Sequence, residues 1–332
     1  MAKGGVCLMG INLINEISKE LAKADSLKNS ETVGMFIIKT ANQTLQDAAQ
    51  RPDPTPLWLT LWYEGEVCCL FADSNVGKSI YAVQIASEIA KSMKVLYFDF
   101  ELSDKQFQLR YSDENGKLYR FPNNLLRLEI APESLDVTNF EEALITNIEN
   151  AAVQTGAKVL IIDNLTWLCS AAEKGDVAGQ LMLNLMKLKK KHGWSLLVLA
   201  HTPKRPLTSP ITRNDLAGSK KLYNFFDSVF SIGFSSKDPS LRYIKQLKVR
   251  YGGYTYDADN VIVASIEKVG AFLQFVAQGH STEREHLKEL TDKDLSEQIA
   301  EVKKLSSDGK SLREIAAQIG ISKSKVDRLL KK

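Results

Sequence analysis

Phe71-Ala72-Asp73-Ser74-Asn75-Val76-Gly77-Lys78-Ser79 is the stretch on which the reading of this chain turns. Glu66–Phe71 before it is a short apolar run suited to a buried strand. Ser79–Ala90 after it carries apolar residues at helical spacing. A turn between such elements aims backbone N–H groups and a helix N-terminus at one point, where polyphosphate charge is stabilised. Ala72, Asp73, Ser74, Asn75, Val76, Gly77, Lys78, Ser79 and Ile80 are therefore the candidate nucleotide-binding residues. Lys78 is expected to reach the terminal phosphates, and the Ser79 hydroxyl to ligate Mg²⁺. Ala72 stands where the strict pattern has Gly. It is still small, and Asn75 tolerates left-handed backbone angles better than most residues.

Upstream, residues 1–50 read as helical, with Ile11–Ala22 and Thr32–Ala49 as the candidate helices. Arg51–Pro56 holds three prolines and reads as a stiff, extended boundary. Downstream, residues 57–277 alternate strand and helix, which specifies an α/β sheet. Expected strands are Lys94–Phe100, Leu125–Ile130, Lys158–Asp163, Trp194–Ala200, Asp227–Gly233, Arg242–Arg250, Val261–Glu267 and Phe272–Ala277. Thr138–Gln154 and Gly179–Lys191 are the helices between them. Gln278–Lys293 is polar and reads as a linker. Residues 294–332 then read as helices only: Asp294–Leu305, Ser311–Gln318 and Ser322–Leu330.

The 332 residues, 44% apolar and 25% charged, describe an ordinary globular protein with room for two domains. Cys7, Cys68, Cys69 and Cys169 show no metal or disulfide spacing, so a reduced, cytoplasmic protein is expected. No run reaches the length of a membrane span, and Val6–Ile14 lacks a cleavage site.

Asp163 ends an apolar strand, where a carboxylate can hold Mg²⁺ through water, opposite Ser79. The plainer reading is an Asp capping a strand-to-loop turn. Glu101 follows the neighbouring strand and points into the same crevice, where it can orient or deprotonate water. Its plainer reading is the first turn of a helix beginning near Ser103.

Taken in order, ADSNVGKS (72–79), YFDFELS (97–103), VLIIDNL (159–165), VLAHTPK (198–204), DLAGSKKLYNFFDSVFSI (215–232) and RYIKQLKVR (242–250) resemble RecA-like P-loop ATPases. Among these the resemblance is to RepA-type hexameric helicases and related mobile-element ATPases. It implies ATP and Mg²⁺ as ligands, Glu101 as catalytic base and Asp163 as the second acidic residue. It further implies that His201 senses the γ-phosphate, and that Lys248 and Arg250 reach into a neighbouring subunit's ATP. An exposed, charged edge strand is the plainer account of Lys248 and Arg250, and a satisfied histidine that of His201.

The loop Thr202–Lys221 is basic through Lys204, Arg205, Arg213, Lys220 and Lys221, and is a candidate for single-stranded DNA in a ring's channel. Ser170–Gly179 is the other candidate channel loop. The C-terminal stretch 311–330 resembles a helix-turn-helix. Ile315, Ile319, Ile321, Val326 and Leu329 are placed to pack two helices, and Gly320 supplies the turn. Ser322 would cap a second helix that offers Lys323, Ser324, Lys325 and Arg328 to double-stranded DNA. From Glu301 to Lys332 there are nine Lys and Arg against four Asp and Glu.

The expected protein is thus a RecA-like α/β core with a mostly parallel sheet, an N-terminal helical segment and a C-terminal all-helical module. Its expected work is DNA-dependent ATP hydrolysis as a homo-oligomer, with a hexamer implied by the resemblance. Two rivals stand beside it: an ATP-switched DNA-binding regulator with slow hydrolysis, and a small-molecule kinase.

Overall fold

A computed structural model describes residues 31–131, 140–165, 177–202, 205–216, 220–289, 292–319, 321 and 323–331. The expected helix Ile11–Ala22, most of the loop Ser170–Gly179, Cys7, Cys169, Lys204, Gly320 and Ser322 lie outside these residues. The chain forms two compact units, Met1–Pro54 and Thr55–Lys332.

In the first unit, β1 (Glu31–Val33) and β2 (Phe36–Ile38) form an antiparallel hairpin. Helix α1 (Ala41–Ala49) follows, and its cap is Thr40, whose hydroxyl accepts from Gln43 N at 3.1 Å. A single helix over Thr32–Ala49 is therefore incorrect. Gly34 turns the chain at φ 59°, and the β-branched and aromatic residues around it favour a strand over a helix.

In the second unit, β3 (Pro56–Trp58) and β4 (Trp62–Tyr63) pair as a small hairpin. The main strands are β5 (Val67–Ala72), β6 (Val95–Asp99), β7 (Leu125–Leu128), β8 (Val159–Asp163) and β9 (Ser195–His201). They are followed by β10 (Ser228–Phe234), β11 (Leu241–Lys248), β12 (Val261–Val269) and β13 (Phe272–Ser281). Among the described residues these make one nine-stranded sheet in the order β13-β12-β11-β10-β5-β9-β8-β6-β7. Strands β10, β5, β9, β8, β6 and β7 run parallel, and β11 to β13 add an antiparallel meander. This is the expected RecA-like α/β core.

Strand β5 shows why the sheet has two covered faces. Val67, Cys69 and Phe71 join the core on one face, with helices α4 (Phe140–Thr155) and α5 (Val177–His192). Cys68, Leu70 and Ala72 join the core on the other, with helix α2 (Lys78–Ile89). A strand buried on both sides has to be apolar throughout, and VCCLFA is. Burial of Leu70 and Phe71 alone contributes about 1.5–3 kcal/mol each.

Two expectations about the chain's later part need correction. Strand β11 stops at Lys248, so Arg250 lies beyond it. Gln278–Lys293 is not a linker along its whole length. Gln278–Ser281 finish strand β13, and the short helix α7 (Glu283–His286) buries Glu283 and His286; α6 (Lys220–Phe225) precedes it in the chain. Polar composition misled because Glu283 is polar and buried. The last helices are α8 (Asp292–Ser307), α9 (Leu312–Ile319) and α10 (Lys323–Leu330). They share a separate core of Val302, Leu305, Ile315, Ile321, Val326 and Leu329. Among the described residues no helix is long and apolar enough to cross a membrane.

Candidate active site

Parallel pairing brings the carboxyl ends of four strands together. Ala72 lies opposite His201 across β5 and β9, and Asp99 opposite Asp163 across β6 and β8. The loop from Asp73 to Gly77 leaves β5 at this edge. Asn75 takes φ 62° and Gly77 φ 105°, the two left-handed residues that turn the backbone inward. Gly77 is further required by packing, since a Cβ there would meet Ile266 Cδ1 at 2.7 Å and the Phe275 ring at 3.1 Å. Helix α2 begins after Gly77 without a side-chain cap, so its first N–H groups are not spent on a side chain. Arg242 braces the loop from outside: its Nε donates to Val76 O at 3.2 Å, and its guanidinium lies 4.4 Å over Phe234.

Lys78 is 7% exposed and turns into the site. Its Nζ donates to Ala72 O at 3.2 Å and to Asp73 O at 3.5 Å, and lies 3.0 Å from His201 Nδ1. Burial pulls the Lys78 amine below its ordinary pKa, while Asp163 and Glu101 act the other way.

Asp163 is 1% exposed, and burial pushes its carboxyl up to about 6. The Tyr97 hydroxyl donates to Oδ2 at 2.6 Å, and the Ser79 hydroxyl also favours the charged form. Oδ1 is buried and makes no hydrogen bond. A free buried carboxylate oxygen near a hydroxyl and an uncapped helix start is a donor set that fits Mg²⁺ with a polyphosphate.

The position of Glu101 is set by Asp99. Asp99 Oδ1 accepts from Glu101 N at 3.1 Å and Leu102 N at 3.0 Å, which forms the turn after β6. Asp99 Oδ2 is held by Arg127 Nε at 2.9 Å, and Arg127 also bonds Asp104 Oδ1 at 2.7 Å and Leu102 O at 2.5 Å. Helix α3 (Asp104–Arg110) then starts at Ser103 with a capping box. Glu101 therefore precedes the helix cap and projects toward His201. The His201 hydrogen bond holds its carboxyl below the usual range, with His201 Nε2 at 3.4 Å from Oε1. Asn164, fully buried, donates through Nδ2 to the same oxygen.

Asn164, Asp99, Arg127, Tyr97 and Arg242 were not among the residues singled out by sequence. Asn164 carried the only local signal, as the polar residue directly after Asp163 in an apolar strand.

Lys248 and Arg250 are not brought to this site. Lys248 pairs with Val229, which pairs with Cys69 near the start of β5. Arg250 donates to Asp227 Oδ1 at 2.7 Å, and Asp227 Oδ2 accepts from Val67 N at 2.9 Å. Val67 and Ala72 are the two ends of β5, about 17 Å apart at strand rise. Both cations thus sit at the edge of the sheet away from their own phosphate loop.

The basic loop after His201 is folded inward in part. Arg205 donates to Ser209 O at 2.6 Å and to the Tyr243 hydroxyl at 3.4 Å, so its guanidinium is used within the fold. Arg213 is exposed in a short 3-10 turn, and Lys220 begins α6. A buried ion pair secures the loop: Lys245 Nζ bonds Glu283 Oε2 at 2.5 Å and Ile211 O at 3.0 Å. Ile211 N donates to Glu283 Oε1 at 2.7 Å. In the last helix Lys323, Ser324 and Arg328 are exposed and Lys325 is partly so.

A family model described as AAA domain matches residues 38–206, just over half of the chain. The chain belongs to this AAA-domain family. The AAA-domain match takes in the phosphate loop, Glu101, Asp163 and His201, and stops before β10. No curated protein matches the chain. Among solved structures, a KaiC-like protein from the hyperthermophilic archaeon Pyrococcus horikoshii OT3 aligns at 14% identity and a TM-score of 0.47. That alignment covers 65% of this chain and 91% of the archaeal one. With its loop, sheet order and AAA-domain membership, the core is a RecA-like P-loop ATPase.

Proposed function

We propose that this AAA-domain protein is a DNA-dependent ATPase whose ATP sites are completed by a neighbouring copy in a ring, with six copies as the working number. The observation that carries this reading is the position of His201. It touches Lys78 on one side and Glu101 on the other, and opens the basic loop Thr202–Lys221. A phosphate bound at Lys78 would thus be felt by the residue that leads into the candidate DNA loop.

The backbone N–H groups of residues 73–79 and the Lys78 ammonium would hold the phosphates, and Ser79 and Asp163 the Mg²⁺. When bound, Mg²⁺ supplies charge that neutralises the β- and γ-phosphate oxygens. Lys78 exchanges the carbonyls of Ala72 and Asp73 for phosphate oxygens. Glu101, kept ionised by His201, accepts the proton of the attacking water. Water adds to the γ-phosphorus, the bond to the β-phosphate oxygen breaks, and ADP leaves. Asn164 fixes the Glu101 carboxylate against rotation. Lys248 and Arg250, remote from their own loop, serve the site of the next copy. Lys323, Lys325 and Arg328 contact double-stranded DNA from the last helix.

ATP turnover with and without single-stranded DNA tests the reading, with Glu101→Gln as the control. The Gln variant should bind ATP normally and lose roughly 10²–10⁴ of turnover. Wild-type turnover in that variant removes Glu101 as the base. Slow turnover that DNA does not stimulate favours the ATP-switched regulator instead.

A further inference from the structure

Two strands that pair only with each other are marginally stable in water; a stable sheet needs at least a third strand and an apolar face. The first unit has such a hairpin in β1 and β2, and residues 32–38 are exposed throughout. Val33, Met35, Phe36, Ile37 and Ile38 stand in it, and Leu45 is exposed on helix α1. Phe36 is 67% and Ile37 63% exposed. Together these six residues expose on the order of 700 Å², close to the ~800 Å² that each partner buries in a standard interface. The backbone is as open as the side chains. Gly34, at φ 59°, opens a two-residue turn that is closed by Val33 opposite Phe36. Antiparallel pairs alternate, so Ile37, one residue further on, turns its N–H and C=O to the free side of β2.

Strand edges that are not to be paired carry a charge, a proline or a cover. The second unit has an example in β13, an edge strand of the large sheet. Gln84 of α2 accepts from Phe275 N at 2.8 Å and donates to Phe275 O at 3.0 Å, which closes that stretch of edge. Residues 32–38, TVGMFII, contain neither a charge nor a proline. A strand of this kind can meet its own copy, because a two-fold axis sets each residue against an identical or similar one. About an axis through Ile37, Phe36 of each copy would face Ile38 of the other, and no like charges would meet. Lys39, just past the strand, is already paired with Asp47 of its own chain. We infer that two copies of this chain pair through their N-terminal hairpins, β2 antiparallel to β2, in one four-stranded sheet. This contact is independent of the ATP sites; in a ring of six it would join the copies two by two.

The test is the mass of the full chain in solution without nucleotide, measured by sedimentation over a range of concentrations. Wild type should show pairs, or multiples of two, at the higher concentrations. Ile37→Lys and Ile37→Glu each place like charges on the two sides of the axis. Either should raise the concentration at half-dissociation by roughly tenfold. Mixing the two variants in equal amounts sets Lys against Glu and should restore association. That rescue is peculiar to a hairpin that meets itself, since a different surface would see the same charge before and after mixing. Ile37 is exposed, so circular dichroism and melting temperature of both variants should match wild type. A wild type without pairs overturns the inference, as do variants that associate as wild type does. Loss of association in both variants with no rescue on mixing also overturns it, because the hairpin then meets some other surface. None of these outcomes bears on the ATPase reading, which is tested by turnover.

Discussion

Lys78 Nζ and His201 Nδ1 lie 3.0 Å apart, and Nε2 of the same ring lies 3.0 Å from Asn164 Nδ2 and 3.4 Å from Glu101 Oε1. Lys78 and Glu101, the proposed phosphate cation and proposed base, are thus joined through one imidazole. Within the described chain Lys78 has carbonyl and imidazole partners already, and a nucleotide competes with these and not with solvent alone.

Arg250→Ala should leave ATP binding unchanged and lower turnover by roughly 10³-fold, the lower end for an arginine supplied in trans. Stability should change by less than about 1 kcal/mol, because Arg250 is largely exposed in its pair with Asp227. Mixed oligomers with Glu101→Gln chains should regain some turnover, since one interface can then combine both intact residues. No regain in well-mixed oligomers would leave Arg250 as a structural partner of Asp227.

His286 gives a pH prediction of definite sign. It is stacked on Tyr243 with Nδ1 2.8 Å from Ser235 Oγ, and burial and the Lys237 charge hold its pKa below 6.5 while Glu285 opposes them. Between the folded value and 6.5 the unfolded chain binds the extra proton. Stability is therefore kept above pH 6.5 and lost as pH falls through the folded value. Melting temperature across acidic pH should fall less steeply in His286→Gln, and an identical slope would rule this residue out as a cause.

Lys245→Met should cost about 3–5 kcal/mol in urea unfolding, because it strands the Glu283 carboxylate. Replacing both, Lys245→Met with Glu283→Leu, should recover part of that loss. A double variant no better than the single would mean that the Ile211 bonds, and not the charge pair, hold the loop.

Lys325→Ala with Arg328→Ala should preserve the fold, since Val326 and Leu329 carry the packing on that helix. Affinity for double-stranded DNA should fall, and the salt dependence should flatten by about 1 in slope for each lost phosphate contact. Unchanged affinity and slope would favour a helical contact between copies.

Much of the core could be read from sequence because its strands are buried on both faces, and burial writes itself as unbroken apolar runs. The left-handed Asn75 was legible for a similar reason: few residues accept that angle. What stayed hidden was polar and distant in sequence. Asp99 and Arg127 are 28 residues apart, yet together they aim Glu101. Asn164 meets Glu101 and His201 only when β6 and β9 flank its strand. The hairpin at Gly34 is hidden in the sequence because the residues after it do form a helix, whose pattern continues back across the turn. Glu283 reads as linker because composition gives charged residues to solvent, and its partner Lys245 is 38 residues away in sequence.

That last residue decides where the protein can be cut. A chain stopped at Gln278, where composition alone places the boundary, would end inside strand β13 and leave Lys245 without its carboxylate. It would also lose the backbone bond from Lys288 N to Leu207 O, which anchors the loop after His201 at 3.0 Å. A dissection meant to separate ATP hydrolysis from DNA binding has to keep residues through Glu289. Cut earlier, it would report damage to the ATPase as though it were the contribution of the C-terminal helices.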